Sequence, residues 1–158
     1  MKRISVVWLV LVQFILGFEW LHASWGKWTE VGFMANITKT LTGFATQTTF
    51  PVYGDFLRSV AIPNAELFGN FIRTGEILVG VAFVLGGILL LAKKYLSTTA
   101  LWLVAIAMLG GALMNLNFYL AAGASSPSTW GLNVIMGLIQ LVLAIYYFSN
   151  RKYLANQN

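Results

Sequence analysis

Three charged side chains lie within long apolar segments of this chain, where charge is otherwise rare. Glu19 follows the apolar run VVWLVLVQFILG, and Arg73 and Glu76 lie together in a second apolar segment. An ionised side chain at the centre of a membrane-spanning helix costs on the order of 3 kcal/mol, so such residues usually serve a function. A carboxyl group that can take up a proton beside an arginine suits proton-coupled electron transfer or the binding of an anion. We predict these three residues to be catalytic, with a purely structural ion-pair network as the alternative.

Six further residues are candidates for substrate binding. Two carboxylates share one arginine within the apolar segments, so the second carboxylate needs Lys27, His22 or a proton. The other candidates are polar and aromatic residues, and we predict that a substrate is bound by Lys27, His22, Trp25, Asn115, Asn117 and Tyr119. The alternatives are that isolated amide residues, such as Gln13, Asn133 and Gln140, are packing contacts between helices and that His22 is a surface residue at the membrane interface.

The composition indicates the class of protein that positions these residues. Of 158 residues, 58% are hydrophobic and 9% are charged, whereas charged residues make up about 25% of an ordinary soluble domain. The chain has no cysteine and one histidine, which excludes disulfides, thiolate-bound metals and a bis-histidine haem within it. No phosphate-binding or dinucleotide-binding glycine motif occurs. We therefore predict no protein-bound haem, flavin or metal, and redox chemistry would need a diffusible cofactor or a partner.

Four apolar segments are long enough to cross a membrane, which takes about 20 residues. They are Ile4–His22, Phe68–Ala92, Thr98–Ala122 and Trp130–Ser149. Small and polar residues recur at helical spacing along each segment, and such stripes pack against other helices in lipid. The sequence thus predicts a single-domain, all-α integral membrane protein built as a bundle of four transmembrane helices.

The net charge of +5 is explained by topology. Basic pairs lie at Lys2 and Arg3, at Lys93 and Lys94, and at Arg151 and Lys152, all at the ends of apolar segments. Such pairs mark the cytoplasmic ends of membrane helices, so we predict that both termini are cytoplasmic and that no nucleic acid is bound. A cleaved signal peptide over the first segment is the alternative, although Glu19 and Trp20 fit poorly before a cleavage site.

The polar residues of the four segments are expected at one height in the bilayer. A rise of about 1.5 Å per residue places Glu19, Arg73, Glu76, Asn115 and Asn133 about 24 to 32 Å from the basic residues at the cytoplasmic ends. This predicts a polar chamber near the outer end of the bundle.

The two loops at the outer end are expected to differ in length, with a long loop over residues 23–67 and a short loop over residues 123–129. The apolar stripe of Val31, Met34, Ile37, Leu41 and Phe44 predicts short interfacial helices in the long loop, either as a lid over the bundle or as interfacial anchors.

Four sequence motifs resemble the DoxX family, which includes the DoxD-like membrane subunit of thiosulfate:quinone oxidoreductase. They are GFEWLHASWGKW, YGDFLRSVAIPNAELF, TGEILVGVAFVLGG and MNLNFYLAAGASS, in this order over roughly residues 14–125. The positions that match are Glu19, Trp20, Trp25, Lys27, Tyr53, Pro63, Asn64, Glu76, Gly80, Asn115 and Asn117.

The resemblance implies a four-helix protein of a bacterial or archaeal plasma membrane. It also implies oxidation of thiosulfate to tetrathionate, with electrons passed to a quinone as diffusible cofactor. The family enzyme has two subunits, so a second oxidoreductase subunit is an expected partner beside the lipid bilayer, and a homo-oligomer is a further candidate. The alternative function is a non-catalytic membrane scaffold, or a subunit that binds or carries a small molecule.

Overall fold

The computed structural model describes residues 3–92, 97–122 and 127–155, and these residues are almost entirely helical. Helix α1 (Arg3–Thr29) is followed by α2 (Gly32–Ala35), α3 (Ile37–Gln47) and α4 (Pro51–Phe56), which continues into a π-helical turn (Leu57–Ala61). Three long helices complete the fold, namely α5 (Ala65–Leu91), α6 (Thr98–Ala122) and α7 (Pro127–Ala155). Since no strand occurs among the described residues, the predicted all-α class is confirmed.

Each of the four long helices is long and apolar enough to cross a bilayer, which confirms the four predicted spans. The candidate stretches are Val7–Thr29, Ala65–Leu91, Thr98–Ala122 and Pro127–Arg151. The first helix continues past the predicted end at His22, because Ser24 and Lys27 bond to residues of α5. Residues 23–29, predicted as part of the loop, are therefore all part of α1. Lys2, Lys93 and Lys94 lie outside the described residues, as do residues 123–126 of the short loop, so the orientation of the chain stays a prediction.

Helices α1 and α5 approach closely because glycines face each other across their interface. A Cβ atom on Gly80 would lie 2.7 Å from Leu21 Cγ and 3.1 Å from the carbonyl oxygen of Gly17. A Cβ atom on Gly17 would lie 2.9 Å from Val84 Cγ2. In lipid, where water does not drive helices together, such close van der Waals contact is a main source of association. The close approach of α1 and α5 thus depends on the absence of side chains at Gly17 and Gly80.

A buried hydrogen-bonded link joins three of the long helices at mid-bundle. Gln13 Nε2 of α1 donates to the carbonyl oxygen of Phe83 on α5 at 3.2 Å, and Tyr147 OH of α7 donates to Gln13 Oε1 at 2.8 Å. Both side chains are fully buried. Unpaired polar groups are costly in a hydrocarbon environment, so this link favours one arrangement of α1, α5 and α7. Apolar side chains face outward from all four long helices, as expected for contact with lipid, among them Ile15, Leu78, Leu103 and Val142.

Helices α2 to α4 and the π-helical turn, here called the lid helices, cover one end of the bundle, here called the lid end. Their buried residues form a small core of their own: Ile37, Leu41, Ala45, Leu57 and Ala61. Thr48 Oγ1 donates to the carbonyl oxygen of Leu120 at 2.6 Å, which ties this layer to α6. The predicted stripe is buried at Ile37 and Leu41, whereas Val31 is almost fully exposed because it precedes α2 and faces away. The short helices expected in the long loop are therefore present.

Candidate functional site

An ion pair lies inside the bundle near the lid end. Lys27 Nζ of α1 is 2.8 Å from each carboxylate oxygen of Glu76, which lies on α5. The Glu76 side chain is 1% exposed and that of Lys27 is 25% exposed. The ammonium group also donates to the carbonyl oxygen of Ala23 at 3.0 Å, so its three hydrogens all have acceptors. A carboxylate buried this deeply needs such a partner, because an unpaired charge in the interior is strongly unfavourable.

A cavity of about 330 Å³, here called the main cavity, lies beside this ion pair. All four long helices contribute to its wall, together with α2 and α3 of the lid helices. Most of the wall is aromatic or aliphatic, from residues that include Trp20, Phe33, Phe44, Phe118, Leu132 and Met136. The polar residues that line it are Glu19, Lys27, Thr40, Glu76, Asn115, Thr129 and Asn133. Apolar walls with a few convergent polar groups are the usual character of a small-molecule site.

Four of the predicted site residues come together at the main cavity: Glu19, Lys27, Glu76 and Asn115. Asn133, predicted at the same height, lies there as well. Glu19 is half-buried, and no salt bridge joins it to any described residue. Asn115 is buried and donates to the carbonyl oxygen of Gly111 and to Gln140 Oε1 at 3.2 and 3.1 Å. Four of the five residues inferred to lie at one height, Glu19, Glu76, Asn115 and Asn133, thus line one cavity in the structure.

Arg73 does not join this site, although we predicted it to be a catalytic residue beside Glu76. Its guanidinium group donates to Asn70 Oδ1 at 3.1 and 2.6 Å, and its Cζ lies 4.0 Å from the centre of the Trp28 ring. A cation over an indole face is electrostatically favourable, and an asparagine three residues earlier is within reach on the helix surface. Lys27 therefore takes the position beside Glu76 that the sequence suggested for Arg73.

His22 and Trp25 lie on the outer surface of α1, away from the main cavity. His22 is exposed and stacks on Phe18, with ring centres 5.8 Å apart. Trp25 is 72% exposed. Residues 18, 22 and 25 share one face of the helix, whereas Lys27 projects from another. Such an exposed position near the end of an apolar segment is typical of the aromatic belt at a membrane interface.

Asn117 and Tyr119 line neighbouring spaces instead of the main cavity. Asn117 accepts a hydrogen bond from Tyr53 OH of α4, and burial raises the pKa of Tyr53 above its ordinary value. Tyr119 packs between Phe50 and Trp130, with ring centres 5.6 and 5.8 Å away. It lines a groove of about 320 Å³ between α6 and α7, here called the side groove. Asn115 and Asn133 line both the side groove and the main cavity, so they form the wall between the two.

Trp20 is a site residue that our sequence reasoning did not select. It matched the aromatic belt pattern at the end of an apolar segment, yet the structure buries it at 2% exposure in the wall of the main cavity. The spacing of the residues could have predicted this position. Trp20 and Ala23 lie seven and four residues before Lys27, so all three share one face of α1. Within the described part of the chain, no group of three or more His, Cys, Asp or Glu side chains is arranged to hold a metal ion.

Comparison of the chain with protein-family models, with curated proteins and with solved structures found no match in any of the three. The resemblance to the DoxX family therefore stays a prediction.

Proposed function

We propose that this chain is the membrane subunit of a quinone-reducing oxidoreductase of the DoxX type and that its main cavity binds the quinone ring. The observation that supports this most is the apposition of aromatic walls with the buried Lys27–Glu76 pair. A quinone presents flat apolar faces together with carbonyl oxygens that gain protons on reduction. A site that offers apolar surface on its sides and a proton-bearing pair in its wall is suited to both properties.

The ion pair has the chemistry for the proton part of this reaction. A quinone takes up two electrons and two protons to become a quinol, so protons must reach its oxygens inside an apolar space. The Lys27 ammonium can donate a proton to a quinone oxygen that has been reduced. When Lys27 takes up a new proton, the Glu76 carboxylate stabilises the ammonium form. Glu19, half-buried in the same wall, is the group through which a proton can return. We assign proton transfer to these three residues.

The electrons are assigned to a source outside the main cavity. The chain has no cysteine, and Lys27 is the only cation among the polar residues that line the cavity. That cation is already bonded to both oxygens of Glu76, so the pair carries no excess positive charge for an oxyanion. Oxidation of two thiosulfate ions to tetrathionate releases two electrons, and we place this half of the reaction on a second subunit.

The test uses the purified chain in lipid nanodiscs with a short-chain quinone. Binding is followed by quenching of tryptophan fluorescence, and reduction by quinone absorbance after addition of thiosulfate and the membrane proteins of the source cell. We expect Glu76→Gln to lower the reduction rate at least tenfold, because the proton relay loses its carboxylate. Glu66→Gln, the same change at an exposed position of α5, is the matched control and should match the unchanged protein.

A second candidate function is a non-catalytic binding or carrier subunit. One observation favours it. The hydrogen-bond donors of Lys27 and Asn115 are all bonded to acceptors of the protein, as in a structural network between packed helices. Quinone binding without reduction in the presence of the complete membrane proteins would contradict the oxidoreductase and favour this candidate. Failure of any quinone to bind would contradict both the quinone site and the enzyme.

A further inference from the structure

Arg73 is a cation of a candidate membrane span and has no carboxylate partner among the described residues. It is the ninth residue of α5, about 12 Å along the helix axis from Ala65. Lys27 is paired with Glu76, whereas no salt bridge joins Arg73 to any part of the chain that the structure describes. An ionised side chain within a membrane-spanning segment is costly unless it is paired. The charge of Arg73 is therefore suited to an anion from outside the chain.

The guanidinium group of Arg73 is held in one orientation by its neighbours. Its Nε and Nη2 donate to Asn70 Oδ1 at 3.1 and 2.6 Å, and Asn70 Nδ2 donates to the carbonyl oxygen of Glu66 at 2.9 Å. The Arg73 Cζ lies 4.0 Å from the centre of the Trp28 ring. Trp28 Nε1 and Ser24 Oγ donate to the carbonyl oxygen of Arg73 at 3.3 and 3.0 Å. The side chain is thus positioned before a ligand binds, which lowers the entropic cost of binding.

The Nη1 atom of this guanidinium group is available to a ligand. A guanidinium group has five N–H hydrogens, and Asn70 accepts two of them. Nη1 donates to none of the described residues. In the described chain, the buried side-chain nitrogens without a partner are Trp20 Nε1 and Gln140 Nε2, so Nη1 is not among the enclosed atoms. An anion can therefore reach Nη1 and accept charge-assisted hydrogen bonds, which are stronger than those between neutral groups.

The surroundings of Arg73 are those of a lipid headgroup. Leu67, Phe71 and Leu78 are exposed apolar side chains of the same helix, and Trp28 is 48% exposed. Exposed apolar side chains of a spanning helix contact the hydrocarbon tails of lipids, and tryptophan is enriched at the level of the headgroups. A phospholipid joins an anionic phosphate to apolar tails, so it can bond to the guanidinium group and cover these side chains together. A free oxyanion would make only the first of these contacts.

We propose that Arg73 binds the phosphate group of a membrane lipid, with Asn70 and Trp28 as positioning residues. The site is separate from the proposed quinone site, because Arg73 does not line the main cavity. Arginine is better suited to this task than lysine, since its planar group can lie over an indole ring and still present N–H hydrogens to phosphate oxygens at its edge. The lipid phosphate takes the place of the carboxylate that the sequence suggested as the partner of Arg73.

The experiment compares two lipids that differ only in the phosphate. Dioleoyl phosphatidic acid and dioleoylglycerol share the glycerol backbone and both tails. Their dissociation constants for the tightest site of the full chain are measured in non-ionic detergent by native mass spectrometry. We expect the unchanged protein to bind phosphatidic acid at least tenfold more tightly, as a hydrogen bond to a charged group would give. Arg73→Gln should weaken phosphatidic acid binding at least tenfold and leave dioleoylglycerol binding within about twofold.

The matched control is Arg58→Gln, which removes the same charge from the lid helices. Arg58 is already paired with Asp55 at 2.9 Å and donates to the carbonyl oxygen of Ala45 at 2.8 Å, so its loss should leave phosphatidic acid affinity within about twofold. An equal loss of affinity in both variants would indicate attraction by net charge and would overturn the site. An excess of inorganic phosphate should not displace the lipid, and displacement would overturn the lipid as the ligand in favour of a free oxyanion.

A second measurement covers the case in which Arg73→Gln does not fold. The other three arginines, Arg3, Arg58 and Arg151, are replaced by lysine, so that carbon-13 at the guanidinium carbon labels Arg73 alone. Solid-state NMR in phospholipid bilayers then measures the dipolar coupling between this carbon and the lipid phosphorus. We expect a distance below about 5 Å, since guanidinium and phosphate groups form hydrogen bonds of about 2.8 Å. The absence of coupling would contradict the proposed contact.

Discussion

At the scale of single residues, the Lys27–Glu76 pair combines deep burial with full hydrogen bonding. Both carboxylate oxygens of Glu76 accept from the same ammonium group, and the carboxylate is almost completely enclosed. Loss of one partner from such a pair is far more damaging than loss of both, because a lone buried charge remains. A single substitution at this pair is therefore expected to lower the stability of the fold as well as to change the chemistry of the site.

Lys27→Met should therefore destabilise the protein strongly. We expect a loss of about 3 kcal/mol in the free energy of unfolding, and the double variant Lys27→Met with Glu76→Leu should regain most of it. The measurement is unfolding in mixed micelles followed by circular dichroism. Lys39→Met on α3 is the control, because Lys39 is exposed and has no salt bridge with any described residue. A double variant as unstable as the single one would show that the pair acts through packing and not through charge.

Tyr53 predicts a pH dependence of the lid helices. Burial raises its pKa above the ordinary value of 10.0, so the folded state keeps the phenol proton where the unfolded state loses it. The stabilising contribution is complete below pH 10 and declines as the pH rises through the folded-state pKa. Protease cleavage within residues 48–64 should accelerate above about pH 10 in the unchanged protein. Tyr53→Phe cannot ionise and should show a smaller acceleration, whereas identical pH profiles would contradict this assignment.

At the scale of elements, the four spans could be predicted because length and hydropathy are local properties of the sequence. The end of α1 could not be predicted in this way. Ser24 Oγ bonds to the carbonyl oxygen of Arg73 and Lys27 bonds to Glu76, and these contacts join residues 49 positions apart. In a hydropathy profile, such polar residues mark the end of a membrane-spanning helix. Here their hydrogen bonds to α5 allow α1 to continue to Thr29.

The site shows the same limit of local information. Equal height in the bilayer brought Glu19, Glu76 and Asn115 together correctly, since helix rise is a fixed quantity. The partner of Glu76 depends on the directions in which the side chains of Lys27 and Arg73 extend. Arg73 packs over the exposed indole ring of Trp28 and does not contact Glu76. The burial of Trp20 could not be predicted for a related reason. An aromatic residue near the end of an apolar segment is common both at the membrane interface and in the protein interior.

The glycine contact between α1 and α5 gives a prediction for helix packing. Gly80→Ala would place a Cβ atom 2.7 Å from Leu21 Cγ and 3.1 Å from the backbone oxygen of Gly17, so the helices must separate. We expect a loss of roughly 1–3 kcal/mol in the free energy of unfolding. Gly110→Ala is the matched control, since its added Cβ meets nothing within 4 Å and alanine favours the helix. Equal stability of the two variants would mean that the interface adapts without cost.

At the scale of the whole molecule, the lid helices close the main cavity at one end. Thr40 on α3 lines the cavity, whereas the adjacent Lys39 does not. Thr40→Trp should fill the space and lower duroquinone affinity at least tenfold, with little change in melting temperature, because Thr40 is exposed and an indole there needs no repacking of the core. Lys39→Trp adds the same ring to the neighbouring position and should bind duroquinone normally. Similar affinities of both variants would place the ligand elsewhere.

The wall shared by the main cavity and the side groove has a consequence for how affinity must be expressed. The side groove is bordered by outward-facing leucines of α6 and α7, and Asn115 and Asn133 line both this groove and the main cavity. We expect a hydrophobic ligand to dissolve in the bilayer, where these leucines border the side groove. Its chemical potential is then fixed by its mole fraction among the lipids. Doubling the lipid at constant protein should about double the apparent aqueous dissociation constant, while the constant per mole of lipid stays the same.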